Sequence, residues 1–306
     1  MVHVLRGMFR EVKGFAQFIS VERGIMLFMI SVGATFLMAG TLAWSSALYL
    51  GVTVFCIWSA VDAINNVCDV DLDTLSDPSR AEFTKRLGKL GIFIMVGFTA
   101  LSLALGAATL IPYVLLFVAL GVVFGVLYSV PPFRLRKTPY KPVVNFTVGA
   151  VPVLIVASFF NVFSLNILAL AVLIGVTTSV NSLWEDLADY ASDFNSGSRT
   201  LPIIFGFRKG LLLTVILGYV MIPFMVFVGL LFQLGLVYYA SLAALAAFVS
   251  LRIAQKRATL FRHDGRDPEK LHKMGEVLAK DFVITAIVFT LSLMVSSLLK
   301  INPTFF

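Results

Sequence analysis

Two series of polar residues recur at every fourth position of this chain, and each series stands at the end of a long apolar run. The members are Asn65, Asp69 and Asp73 in the first series, and Asn181, Glu185, Asp189 and Asp193 in the second. An interval of four residues places side chains on one face of a helix, about 6 Å apart at each step. The spacing therefore predicts two helices that each carry an acidic stripe.

Carboxylates in such positions indicate a site for divalent cations. Acidic side chains are costly at membrane depth and therefore mark function by default. Carboxylates on one helix face also repel each other unless a cation lies between them. Two stripes that face each other would hold divalent cations, and cations held by carboxylates commonly hold phosphates. The alternative for a single stripe is a solvated acidic helix end.

Basic residues follow both acidic stripes. Arg80 comes after the first and Arg199 after the second, and a guanidinium is a fork that suits phosphate oxygens. A third segment, residues 128–137, contains a Pro-Pro pair that ends a helix and closes with the cations Arg134, Arg136 and Lys137. These cations could bind the same phosphate group as Arg80 and Arg199, or they could serve only to fix the membrane topology.

The composition is that of an integral membrane protein. Of the 306 residues, 59% are hydrophobic and 13% are charged, and the mean hydropathy is +0.94. One soluble core could not bury so much apolar surface. Apolar runs near the roughly 20 residues that cross a bilayer predict nine spans. Their expected limits are 25–48, 50–69, 90–110, 112–129, 143–160, 165–184, 210–232, 235–254 and 280–299.

The charge distribution predicts the orientation of these spans. The net charge of +7 does not indicate a nucleic-acid partner, because the basic residues lie in loops between apolar runs. Of the 24 Lys and Arg residues, 23 fall on one side of the predicted membrane, and only Lys300 falls on the other. The positive-inside rule then predicts a multi-pass cell-membrane protein with a cytoplasmic N-terminus and an external C-terminus.

A single membrane-embedded domain is predicted over residues 1–306. Residues 1–24 are expected to form a cytoplasmic interfacial segment. Within it, apolar and charged residues alternate over residues 8–22, as in an amphipathic helix that lies at the membrane interface. The alternative is that this segment simply extends the first span.

These motifs resemble those of the UbiA superfamily of intramembrane prenyltransferases over essentially the whole chain. The family's first motif, Asn-x-x-x-Asp-x-x-x-Asp with a trailing Pro-x-Arg, is matched by Asn65, Asp69, Asp73, Pro78 and Arg80. Its second motif, Asp-x-x-Asp-x-x-x-Asp followed by Gly-x-Lys/Arg-Thr, is matched by Asp186, Asp189, Asp193, Gly197, Arg199 and Thr200. The segment 128–137 is also similar to a family element. In one departure, Asn66 stands where the family commonly has Asp.

The resemblance implies an all-α fold in which nine transmembrane helices form a ring around a cavity that opens to the cytoplasmic side. It implies two Mg²⁺ ions held by Asn65, Asp69, Asp73, Asp186, Asp189 and Asp193. Catalytic roles would fall to Asp69, Asp73, Asp189, Asp193 and Tyr128. The diphosphate would be bound by Arg80, Arg134, Lys137 and Arg199. An acceptor group could be bound by Arg23.

The reaction that the resemblance implies is transfer of a polyprenyl group from a prenyl diphosphate, such as geranylgeranyl diphosphate, to a lipophilic acceptor in the membrane, with release of diphosphate. The Pro131-Pro132 pair favours an aromatic, ring or polyene acceptor. The alternative acceptor is a prenylglycerol phosphate, as in archaeal-type lipid synthesis. A prenyl-diphosphate hydrolase and a cation transporter are the other classes, and the apolar outer half of the spans argues against the transporter.

Overall fold

The structure is a computed structural model that describes residues 11–70, 74, 78–262 and 268–301. Residues 11–18 are helical, and Leu135–Lys137 form one turn of 3₁₀ helix. The other helices in the described part of the chain are α1 (Val21–Ala39), α2 (Trp44–Cys68), α3 (Pro78–Leu87), α4 (Lys89–Ala108), α5 (Pro112–Ser129), α6 (Lys141–Phe160), α7 (Leu165–Ala188), α8 (Tyr190–Asn195), α9 (Leu201–Phe205), α10 (Phe207–Leu231), α11 (Leu236–Arg262) and α12 (Pro268–Ile301).

Nine of these described helices are long and apolar enough to cross a membrane, which confirms the predicted number. They are α1, α2, α4, α5, α6, α7, α10, α11 and the later part of α12. Each packs against the next along the chain, and α12 packs against α1, which closes the ring. Additional contacts of α1 with α6 and of α7 with α12 bring the walls of the ring together.

The end of the first span differs from its prediction. An apolar run continues to residue 48, but α1 ends at Ala39, and Gly40 adopts a left-handed conformation with φ of 61°. Its N–H donates to the carbonyl of Phe36, which is a common way to end a helix at glycine. Trp44 then begins α2 and packs edge-on against Phe36, with ring centroids 4.9 Å apart. Hydropathy hides this turn because the residues around it are apolar as well.

The spacing predicted one continuous helix for each acidic stripe, and this prediction is wrong because both helices break at an aspartate of the stripe. The span α2 ends at Cys68 and α7 ends at Ala188, so Asp69 and Asp189 both stand at a helix break. The backbone turns at both positions, with φ of −111° at Asp69 and −89° at Asp189. The Asp189 carbonyl still accepts from the N–H of Asp193 at 2.8 Å, which keeps these two acids one turn apart.

The N-terminal segment is a helix separate from the first span. Residues 11–18 end at a turn in which Ser20 has a φ of 45°, so the interpretation as a simple extension of span 1 is wrong. Phe18 is fully buried against Ala63 and Phe83. Asn66, the departure from the family motif, donates its amide N–H to the Phe18 carbonyl at 2.7 Å. This residue therefore ties the N-terminal helix to α2.

Close packing of α6 on α7 depends on glycine. A Cβ at Gly149 would lie 2.6 Å from the carbonyl oxygen of Ile174 and 2.3 Å from the hydroxyl of Thr178. Small residues allow membrane helices to approach so closely. This contact fixes the relative position of Lys141, at the start of α6, and Asp186, near the end of α7.

We expect Gly149→Ala to destabilise the protein by about 1–3 kcal/mol, because the backbone of α7 cannot move away from the new methyl group without repacking. Thermal unfolding of the purified protein in detergent measures this effect. The matched control is Gly97→Ala on α4, where an added Cβ meets nothing within 4 Å. Equal melting temperatures for the two variants would contradict the α6–α7 contact.

Candidate active site

The central acid of the first motif is buried and paired with two arginines. Arg134 Nε lies 3.2 Å from Asp69 Oδ1, and Arg136 Nη1 donates to Asp69 Oδ2 at 2.9 Å. Arg136 Nη1 also donates to Asn65 Oδ1 at 2.9 Å, and Arg134 Nη2 donates to the Cys68 carbonyl at 2.8 Å. The third sequence element therefore binds the end of α2 through both of its arginines.

The second motif is paired with cations from two other helices. Lys141 Nζ donates to Asp186 Oδ1 at 2.5 Å, and both side chains are buried. The same nitrogen lies 3.9 Å from Glu185 Oε2. Arg23, at the start of α1, contacts Glu185 Oε1 at 2.7 Å, and Asn181 Nδ2 donates to that oxygen at 3.3 Å. Ion pairs therefore connect helices α1, α6 and α7 at one end of the ring.

The third element also contacts the loop after the second motif. The N–H of Arg199 donates to the carbonyl of Lys137 at 2.8 Å, while the Arg199 side chain extends to the exposed surface. Gly197, with φ of 70°, turns the chain two residues after the end of α8. Residues 134–137 thus connect the two motifs, which lie more than a hundred residues apart in sequence.

Burial shifts the pKa of two groups just outside the spans. It raises the pKa of the Asp189 carboxyl above its usual range, although the charges of Lys141 and Arg136 act in the opposite direction. Burial also lowers the pKa of the Lys137 ammonium, and Arg134 and Arg136 lower it further. The negative charges of Asp193 and Asp69 act in the opposite direction and raise this pKa. The ammonium of Lys137 therefore interacts electrostatically with acids of both motifs.

A cavity of about 120 Å³ extends from this charged end into the ring. Arg23, Asn181 and Glu185 line it beside the second motif. Deeper walls are mostly apolar and include Trp58 and Phe289. Its shape and lining suit a molecule with a polar head and a hydrocarbon tail.

The acids of the motifs have ligand chemistry that fits Mg²⁺. Carboxylate and amide oxygens are the ligands that this ion prefers, and the buried atoms Asp186 Oδ2 and Asn181 Oδ1 have no hydrogen-bond partner within the described protein. The described residues contain no group of three His, Cys, Asp or Glu side chains that already converge on one point. Asp73, a predicted ligand and catalytic residue, lies outside the described residues.

The remaining predicted residues lie on elements around the two motifs. Tyr128 stands near the end of α5, next to Ser129, whose carbonyl accepts from Arg134 Nε at 3.4 Å. Arg80 lies in the first turn of α3. The hydroxyl of Thr200, the last residue of the second motif, donates to Oδ2 of Asp193, the last acid of that motif, at 3.4 Å. The roles given to these residues stay predictions.

Sequence reasoning assigned no site role to Lys141, and it named Arg136 only as one of three possible anion-binding cations. Lys141 precedes an apolar run, so its sequence context resembles that of an ordinary positive-inside residue. Only the fold shows that its ammonium is buried against Asp186. Glu185 belonged to the four-residue series, and with Asn181 of the same series it lines the cavity.

Comparison with known sequences gives one curated relative and one family profile. Digeranylgeranylglyceryl phosphate synthase from Methanoculleus marisnigri is 31% identical over 176 residues, which are 56% of this chain. The matched part of the chain spans 60% of that relative's length.

Solved structures share the fold along almost the whole chain. A digeranylgeranylglyceryl phosphate synthase is 18% identical with a TM-score of 0.62, and the match covers 94% of this chain and 98% of that one. A UbiA homologue from Archaeoglobus fulgidus bound to GPP and Mg²⁺ is 17% identical with a TM-score of 0.61, covering 90% and 99%.

The family profile decides the classification. The profile described as the UbiA prenyltransferase family matches residues 26–267, a range that includes both acidic motifs and the segment between them. The nine membrane-spanning helices in the described residues agree with that match. The chain therefore belongs to the UbiA prenyltransferase family, and its described helices are those of a multi-pass membrane protein.

Proposed function

We propose that this prenyltransferase moves a polyprenyl group from a prenyl diphosphate to a lipid acceptor, with Mg²⁺, at one face of the membrane. The observation that carries the proposal is the position of residues 134–137. Their arginines contact the first motif and their backbone contacts the loop of the second. The apolar cavity is lined by Glu185, which directly precedes Asp186 of the second motif. An anionic head at this point would meet cations while its tail enters the ring.

The acids would hold the ion and the basic residues would hold the diphosphate. Asp69, Asp186, Asp189 and Asp193 are the described carboxylates that we assign to Mg²⁺, which when bound supplies positive charge to phosphate oxygens. The sequence assigns Asn65 and Asp73 to the same role. Basic side chains stabilise the negative charge that develops on the diphosphate as its bond to the prenyl carbon breaks. The residues that we assign to this role are Arg80, Arg134, Arg136, Lys137 and Arg199.

The apolar cavity would protect the allylic cation from water. Walls formed by side chains such as Trp58 and Phe289 offer no nucleophile to a carbocation. Tyr128 is proposed to stabilise the cation through its ring or to orient the acceptor. The bond from the prenyl carbon to diphosphate breaks first, the acceptor then attacks that carbon and loses a proton to the departing diphosphate, and diphosphate leaves on the side of the acid motifs.

For the acceptor, similarity favours the prenylglycerol phosphate over the aromatic, ring or polyene class. The Pro131-Pro132 pair pointed to the latter class, whereas the curated relative and one structural neighbour are digeranylgeranylglyceryl phosphate synthases. We therefore propose a glycerol-phosphate lipid as the acceptor. The N-terminus and the motifs are proposed to face the cytoplasm, because 23 of the 24 Lys and Arg residues lie on that side of the spans.

A transfer assay tests this function. Purified protein with Mg²⁺ and labelled geranylgeranyl diphosphate is offered geranylgeranylglyceryl phosphate, a hydroxybenzoate or a naphthoate. Mass spectrometry should detect a prenylated product with the glycerol phosphate. Release of free prenol with every acceptor would identify a hydrolase, and product only with an aromatic acid would overturn the proposed acceptor.

Asp69→Asn and Asp189→Asn should each lower kcat/KM for the donor at least about 100-fold, because a neutral amide replaces a carboxylate ligand of the ion. Asparagine keeps the shape, so both variants should remain folded in detergent by size-exclusion chromatography. The control is Glu11→Gln, an exposed acid that pairs with Arg86 away from the motifs. Near-normal turnover in either aspartate variant would refute the metal assignment.

Chelation should stop the reaction, and added Mg²⁺ should restore it. The buried carboxylates repel phosphate oxygens unless a cation lies between them, so the donor should bind only when metal is present. Binding of labelled geranylgeranyl diphosphate is measured before EDTA, after EDTA and after addition of Mg²⁺. Donor binding and turnover that persist after thorough chelation would contradict a metal-dependent site.

A further inference from the structure

A second apolar cavity lies beside the central one. It has a volume of about 150 Å³ and is enclosed by α7, α10, α11 and α12. Thr177, Met225 and Thr285 line both cavities, so these side chains form a wall that the two spaces share. Trp184, which immediately precedes Glu185 of the second motif, also lines the second cavity. This cavity therefore reaches the level of the acidic motifs without containing them.

A group of charged side chains lines this cavity. Arg252 donates to both carboxylate oxygens of Asp281, at 2.9 Å and 3.0 Å from Nε, and Lys256 contacts the same carboxylate. Two cations share one acid, which leaves one positive charge in this group. All three side chains are partly exposed, and each of them borders the cavity.

The charged group lies on the same membrane side as the acid motifs. The spans α7 and α11 are the sixth and eighth of the ring, so they run in the same direction. Glu185 is near the end of α7, and Lys256 is at the end of the apolar part of α11. The short helix α8, which carries Asp193, also contacts α12, the helix of Asp281.

We infer that the second cavity binds the acceptor, with the acceptor's hydrocarbon chain between α7, α10 and α11 and its anionic headgroup at Arg252 and Lys256. The inference rests on the proposed prenyl transfer. That reaction joins two amphiphiles, and each needs a site for its tail. The central cavity adjoins the motifs and takes the donor, so the neighbouring cavity, with its own cations at the same level, takes a lipid phosphate. The shared wall at Thr177 brings the two chains together.

Gly218 offers a direct test of the tail site. It lines the second cavity, and an added Cβ there meets nothing within 4 Å. A leucine at this position therefore starts from open space on the cavity wall and should reduce the volume left for a hydrocarbon chain. We expect Gly218→Leu to raise the KM for geranylgeranylglyceryl phosphate about tenfold, since several methylene contacts are lost, while the KM for geranylgeranyl diphosphate and the melting temperature stay unchanged. Gly97→Leu on α4, also in open space but outside both cavities, is the matched control.

Lys256→Gln tests the headgroup site. We expect about a tenfold rise in KM for geranylgeranylglyceryl phosphate, as for the loss of one charge-assisted hydrogen bond, and no change for geranylgeranylglycerol, which lacks the phosphate. Arg252 remains to pair with Asp281, so the fold should persist. Arg86→Gln, which removes a cation paired with Glu11, is the control.

The outcomes separate this inference from the proposed function. A wild-type protein that transfers to no acceptor would refute both. If the wild type is active but Gly218→Leu changes only the donor KM, the second cavity belongs to the donor and the inference fails. An equal effect of Lys256→Gln on both acceptors would likewise overturn the headgroup assignment.

Discussion

Burial of carboxylates at the edge of a membrane requires positive charge beside them, and the rest of this structure is arranged around that requirement. An unpaired charge in such a place costs several kcal/mol. Asp69 forms ion pairs with Arg134 and Arg136, Asp186 with Lys141, and Glu185 with Arg23. The pairs of Glu185 and Asp186 join α1, α6 and α7 at one end, and those of Asp69 join the end of α2 to residues 134–137. The contact between Arg23 and Glu185, which neutralises one acid, also forms part of the cavity wall.

Much of the fold could be predicted from the sequence because its strongest signals are local. Runs of apolar residues indicated the spans, and acids at intervals of four indicated the two motifs. The turn at Gly40 escaped prediction because both of its flanks are apolar, so hydropathy stays high through the break. The break at Asp189 escaped for a different reason: a four-residue spacing is satisfied equally by one helix and by two consecutive helices, such as α7 and α8.

Partners across the fold could not be predicted in the same way. The role of Lys141 depends on a residue 45 positions later, and no local pattern distinguishes it from a cation that only marks topology. Glu185 is the opposite case, because it belongs to the series at intervals of four and its side chain lines the cavity. Residues that act through their own helix face are thus readable from the sequence. Residues that act through a contact between helices need the structure.

The order of the charged partners along the chain has a consequence for biogenesis. Arg23 and Lys141 are both synthesised before Glu185 and Asp186, so the second pair of acids emerges when its cations already lie in the membrane. Asp69, in contrast, precedes Arg134 by 65 residues. During synthesis, which proceeds from the N-terminus, this carboxylate must wait at the water-facing end of α2 until α4 and α5 have inserted. The central acid of the first motif therefore gains its counter-charges only after two further spans have been made, whereas Glu185 and Asp186 follow theirs along the chain.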